Sequence, residues 1–228
     1  MSKDALEALY PFLHGARQDG GRLEARLLDS VRAKAEDSVI VKRRFFEDNA
    51  ERVLAAAKTI AGAYRRGGRL IAMGNGGSSC DASHLAVEFL HPITAGRPAL
   101  AAVDLGADRA MLTAVANDVG FAHVFVRQLI ALARPEDVLV GISTSGNSEN
   151  LLAAFVKAKQ LGLATIGLSG GDGGRMAASP ALDHCLVVAT DSIHRVQECH
   201  VAIYHIIWDL VHSLLADDRG APLPRHQR

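Results

Sequence analysis

The sequence predicts an α/β fold, a doubly wound parallel five-stranded sheet flanked by helices, with N-terminal helices ahead of the sheet and a long C-terminal helix after it. Three observations carry that reading. Five short apolar runs recur between residues 69 and 188. Helical apolar spacing fills most of the intervals between them. The runs are continuously apolar rather than alternating, as strands covered on both faces are. Neither an internal repeat nor an interdomain linker interrupts the pattern. One domain over residues 22–216 is expected, with an N-terminal extension, 1–21, and a flexible tail, 217–228, rich in Pro, Gly and Arg.

The elements follow in order. Leu6, Leu9, Tyr10 and Leu13 make a short amphipathic piece that closes at Gly20-Gly21. Helical spacing runs from about Leu23 to Arg44. A clearer stripe of Phe46, Ala50, Val53, Leu54, Ala57, Ile60, Ala61 and Tyr64 stops at Gly67-Gly68, so two helices precede any strand. Arg69–Met73 is the first strand, ending in the loop Gly74-Asn75-Gly76-Gly77-Ser78, and a helix follows from Ser79 to His91. Ala99–Val103 is the second strand, with helical patterns near 108–116 and 120–132. Val138–Ile142 is the third, followed by the loop Ser143–Ser148 and a helix to Leu161. Ala164–Leu168 and Cys185–Val188 complete the sheet, and a helix from His194 to Leu215 ends the pattern.

Composition narrows the function classes. Lys plus Arg and Asp plus Glu each total 25 in 228 residues. Zero net charge argues against a general affinity for nucleic acid or an anionic membrane. Three cysteines without a CxxC pair suit a reducing compartment. The N-terminus lacks an apolar signal core, and no stretch is expected to reach the roughly 18 apolar residues of a membrane span. A cytoplasmic protein is expected.

Ligands of doubly wound sheets sit outside the carboxyl ends of the strands, where the two most unusual loops fall. Ser143, Thr144, Ser145 and Ser148 offer hydroxyls, Gly146 opens the backbone, and a helix N-terminus follows directly. That combination suits a phosphate held without lysine. The plainer alternative is a Ser-rich turn with a helix cap. In the loop Gly74–Ser78, glycines allow a ligand close to the backbone. It is not a dinucleotide fingerprint, because position 79 is serine and the first acidic residue ending strand two, Asp104, lies too far along. There is no P-loop motif.

Two sets of ionisable residues stand out. His84 and Glu88 share one helix face, about 6 Å apart along the axis. HxxxE is a common helix pair, and its place just past a strand end adds functional weight. The last helix carries Gln197, Glu198, His200 and His205 among apolar residues. A lone histidine there reads as a hydrogen-bonded core position. Two histidines, a glutamine and glutamates converging with His84 and Glu88 would instead form a metal or acid–base site. Gln197 and His205 stand roughly 12 Å apart along an ideal helix. One ion could hold both only through long, bent side chains or through ligands from two subunits.

GNGGSSCDASHLAVEFL, AVANDVGF, GISTSGNSENLL and HRVQECHVAIYH together resemble the phosphoheptose isomerases of the SIS (sugar isomerase) family. The resemblance runs from about residue 27 to 215. It implies an aldose–ketose isomerase acting on sedoheptulose 7-phosphate through an enediol, with a sugar phosphate as partner. By that resemblance the phosphate is held by Ser143, Thr144, Ser145 and Ser148. Asn75, Gly76, Gly77, Ser78, Asp118 and Gln197 lie around the sugar. Glu88 and His205 share the catalytic roles, and His84, Glu88, Gln197 and His205 hold a zinc ion in each subunit. The family's shared-site homotetramer is implied too, in keeping with the apolar surface of the long helices. The chain departs from the family in having His194 where aspartate precedes the arginine, and in Ser78-Ser79, which bear on contacts to the sugar's distal hydroxyls. The rival readings are a non-enzymatic SIS-domain adaptor of the bacterial replication initiator and an isomerase of another sugar phosphate.

Overall fold

The computed structural model describes residues 20–216. The expected N-terminal amphipathic piece and the tail lie outside these residues. Among the described residues two units are distinguished, one ending at Val39 and one beginning at Ile40. Helix α1 spans Gly20–Arg65, so the two expected helices are one. No glycine or proline lies between Arg44 and Phe46 to end the first, and propagation of a helix already begun adds a hydrogen bond with each residue. In the first unit, Leu23, Leu27, Leu28 and Val31 are exposed. Asp29 and Arg32 pair at 3.0 Å along the same stretch.

The second unit holds the sheet. Its elements are β1 (Leu70–Gly74), α2 (Gly77–Leu90), β2 (Ala102–Asp104), α3 (Arg109–Asp118), a 3-10 turn (Phe121–His123), α4 (Val124–Leu132), β3 (Val138–Ile142), α5 (Glu149–Gln160), β4 (Ala164–Gly170), α6 (Gly174–Ala177), β5 (His184–Val188) and α7 (Ile193–Ala216). All five strands are parallel, in the order β2-β1-β3-β4-β5. The expected strands are all present, β2 being shorter and displaced toward Asp104.

The apolar strands divide their side chains between two cores. Leu70, Ala72, Val138, Val140 and Ile142 face one layer, where they meet Val53, Ala57, Ile60 and Tyr64 of α1, Leu85 and Phe89 of α2, and Ile203 and Ile207 of α7. Ile71, Met73 and Leu139 face the other, against Phe125 and Leu129 of α4 and Leu151 and Phe155 of α5. This period of two inside a continuous apolar run is the pleat of a strand buried on both sides. The α7 helix is long and apolar enough to cross a membrane by length and composition alone, contrary to expectation. Its apolar residues are those of a core helix, since Val196, Cys199, Ile203, Ile207 and Val211 are buried against the sheet and its neighbours.

Candidate active site

The progression of strands reverses between β1 and β3, the point where doubly wound sheets open a crevice. There Gly74 pairs in register with Ile142, so the loops after both strands leave side by side. Two hydrogen bonds tie them together. Asn75 Nδ2 donates to Asn150 Oδ1 at 2.8 Å, and Asn150 Nδ2 returns a bond to Asn75 Oδ1 at 2.9 Å. Asn150 is buried on the first turn of α5 and was missed by sequence reasoning. Its one sequence signal is an asparagine two positions after the serine loop.

The glycine loop is shaped by close approaches. Gly76 has φ +55°, a conformation that suits glycine, and Ser78 and Ser79 donate their N–H groups to Asn75 and Gly76 as α2 begins. A Cβ on Gly77 would lie 2.2 Å from Gln197 Nε2, so the absence of a side chain is what lets the Gln197 amide lie over the loop. Ser78 is buried in the first turn of α2.

The serine loop is knit by its own hydroxyls. Ser143 is buried, and its Oγ lies 3.2 Å from that of Ser148 while accepting from the Gly146 N–H at 3.2 Å. Ser148 is the N-cap residue of α5, yet its side chain makes no capping bond. Glu149, the acidic residue beside that N-terminus, is drawn into an ion pair with Arg175. Thr144 and Ser145 line a cleft of about 270 Å³ with Gly170, Asp172, Thr190 and Asp191, at the carboxyl ends of β3, β4 and β5. Asp104, the residue a ribose would need, instead accepts from Ser83 and from the Gly106 N–H.

His84, Glu88 and His205 converge, with ligand atoms all within 4.8 Å of one another. His84 Nε2 is 3.1 Å from Glu88 Oε1, and the rings of His84 and His205 meet edge to face at 5.0 Å. All three are half-buried. Trp208 secures the end of α2 by donating its indole N–H to the Glu88 carbonyl at 2.8 Å, and Arg97 lies over the Trp208 ring at 4.6 Å. The three side chains come from α2 and α7 of one chain, so they need no second subunit to meet. Two imidazoles and a carboxylate are a donor set suited to zinc or a similar divalent cation.

Two further groups at this cluster were not read from the sequence. Tyr204 Oη lies 2.8 Å from His84 Nδ1. Burial, then the charges of Asp81 and Glu88, push the Tyr204 phenol pKa up. Asp81 is buried one turn before His84 and its Oδ2 has no partner among the described residues. Burial raises its pKa, and His84 lowers it.

The remaining candidates are placed separately. Gln197 stands against the glycine loop, two turns from His205 on α7. Asp118 is exposed at the end of α3, where it accepts from the Asn117 amide, and among the described residues it bonds to neither the serine loop nor the His84 group. His194 is exposed. His200 is a core histidine, fully buried, with Nε2 donating to the Ser169 carbonyl at 3.1 Å.

Comparison with known proteins places this geometry. The family model described as SIS domain matches residues 35–170. Phosphoheptose isomerase of Solidesulfovibrio magneticus is 46% identical over 81% of this chain and 89% of its own length. That of Desulfovibrio desulfuricans is 44% identical over 86% and 93%. The solved structure of phosphoheptose isomerase from Neisseria gonorrhoeae aligns with a TM-score of 0.76 at 39% identity, covering 82% of this chain and 99% of its own. The structure of a phosphoheptose isomerase from Francisella tularensis gives 0.77 at 34%, covering 82% and 98%. With that sheet, those loops and this identity over most of its length, the chain is an isomerase belonging to the phosphoheptose isomerase family of SIS domain proteins.

Proposed function

We propose that this isomerase interconverts sedoheptulose 7-phosphate and D-glycero-D-manno-heptose 7-phosphate, opening a route to a nucleotide-activated heptose in the cytoplasm. The observation that carries the reading is the meeting of His84, Glu88 and His205 in a chain of this family. The terminal phosphate is assigned to Ser143, Thr144, Ser145 and Ser148. An uncapped helix N-terminus beside two facing hydroxyls supports that assignment. Asn75, Gly76, Gly77, Ser78, Gln197 and Asp118 are assigned to the sugar.

The chemistry moves a carbonyl by one carbon. Glu88 takes the proton from the carbon next to the carbonyl, leaving an enediol, and returns it to the neighbouring carbon. His205 serves the two oxygens, giving a proton to one as the other loses its own. The net change is an internal redox exchange, with no external oxidant. Zinc held by His84, Glu88 and His205, with Gln197 supplied by a second subunit, would supply polarisation of the substrate carbonyl. Ligation and proton abstraction compete for the Glu88 lone pairs, and the base role is ranked first.

Turnover assays with sedoheptulose 7-phosphate, fructose 6-phosphate and ribulose 5-phosphate test the substrate, the first being the one expected to react fastest. A preference for either of the others removes the heptose assignment. Metal analysis before and after chelation tests the zinc, and full activity in metal-free protein removes it from catalysis. A homotetramer belongs to the same reading, supported by the exposed Leu23, Leu27, Leu28 and Val31 of α1. Light scattering showing an active monomer ends it.

A further inference from the structure

The hydrogen-bond partners of His84 are arranged so that binding a metal must reverse them. In a neutral imidazole one nitrogen donates and the other accepts. Nε2 faces Glu88 Oε1 at 3.1 Å, and a carboxylate oxygen accepts, so a neutral ring in this pairing carries its proton on Nε2. Nδ1 then accepts from the Tyr204 hydroxyl at 2.8 Å. Ligation through Nε2 requires its lone pair, which moves the ring proton to Nδ1. Tyr204 Oη must then accept that proton's hydrogen bond, and its own hydrogen needs a new acceptor. A buried hydroxyl left without one is costly.

Two buried side-chain atoms lack a partner among the described residues, Asp81 Oδ2 and His200 Nδ1. His200 is fixed by its bond to Ser169 at the end of β4. Asp81 lies three positions before His84 on α2, on the same helix face, and its charge acts on both His84 and Tyr204. We infer that Tyr204 is a positioning residue for the metal ligand His84, setting which ring nitrogen carries the proton, and that Asp81 accepts the Tyr204 hydroxyl once the metal is bound. This rests on the metal reading of the His84 group and goes beyond it by assigning a supporting shell. Histidine ligands held this way bind metal more tightly and in one orientation.

Zinc affinity measured by chelator competition tests it, independently of turnover. Tyr204→Phe keeps the ring packed on His84 and His205 and removes only the hydroxyl. It is expected to weaken zinc binding about 10- to 100-fold, in protein whose metal-free form stays folded by far-ultraviolet circular dichroism. Asp81→Ala is expected to weaken zinc in the same direction, and to add nothing further in the Tyr204→Phe background, because both act through one chain of bonds. Imidazole ¹⁵N shifts, recorded well above the ordinary histidine pKa, should place the His84 proton on Nε2 without zinc and on Nδ1 with it. Wild-type zinc affinity in Tyr204→Phe overturns the role of Tyr204, and additive losses in the double variant overturn that of Asp81. A proton on Nδ1 in both forms overturns the switch. Wild-type protein that takes up no zinc overturns the metal reading and this inference together.

Discussion

The serine loop and the His84–Glu88–His205 group are built in opposite ways. The hydroxyl and amide bonds within the loop link residues no more than five positions apart, so its shape is written into six consecutive residues. The His84 group joins helices 120 positions apart in sequence, and only the packing of α7 beside α2 creates it. A local device tolerates the loss of one member because the rest of the loop remains. A tertiary device loses its chemistry with any one ligand. The proposed roles match this contrast, binding being assigned to the loop and proton transfer to the group.

The largest expected effect tests the tertiary side. Glu88→Gln and His205→Ala should each lower turnover on the order of 10²–10⁴, as for a positioned acid or base, with far-ultraviolet circular dichroism unchanged. Folded variants that keep wild-type turnover would break the comparison. On the local side, Ser148→Ala should act mainly on substrate binding. One lost hydrogen bond to a charged group costs about 1.5–3 kcal/mol, read as a raised KM with kcat changed far less. A fall in kcat at constant KM would move the loop into the chemistry and erase the distinction.

A third prediction concerns the tie between the two strand-end loops. Asn150→Ala leaves the buried face of Asn75 without its reciprocal partner, which should cost about 1–3 kcal/mol in urea unfolding. It should also raise KM, because the loops that Asn75 and Asn150 hold together are the ones assigned to substrate. Stability lost with KM unchanged would show that the pair braces the sheet without shaping the crevice.

The same contrast explains what could be read in advance. All five strands and the two strand-end loops follow from short apolar runs and turn residues, which are local signals. The sequence divides α1 after Arg44 because a clearer apolar stripe begins at Phe46, although no glycine or proline there stops a helix. Tyr204 and Asp81 carry no local mark and Asn150 only its place near the serine loop, since each acquires its partner from another part of the fold or, for Asp81, stands beside groups that do. His200 and His205 show how far periodicity reaches. Five residues apart on α7, they point about 140° apart around the axis. One therefore meets the end of β4 and the other meets α2.

That difference between the two histidines gives the smallest expected effect, a dependence of stability on pH. Burial of His200 disfavours its charged form and lowers its pKa from 6.5 to about 4, with the bond to Ser169 acting weakly the other way. In the unfolded chain the same ring takes up a proton near 6.5. Between those values the unfolded state binds more protons, so stability is full above the upper value and falls as pH drops toward the lower one. Going from neutrality to about pH 5.5 should cost about 1 kcal/mol from this group. Urea midpoints of wild type and His200→Gln at one protein concentration isolate it, because every other titrating group is common to both. The variant should be less stable at neutral pH yet flatter across the window. Parallel curves would show that His200 is not the source of the pH dependence.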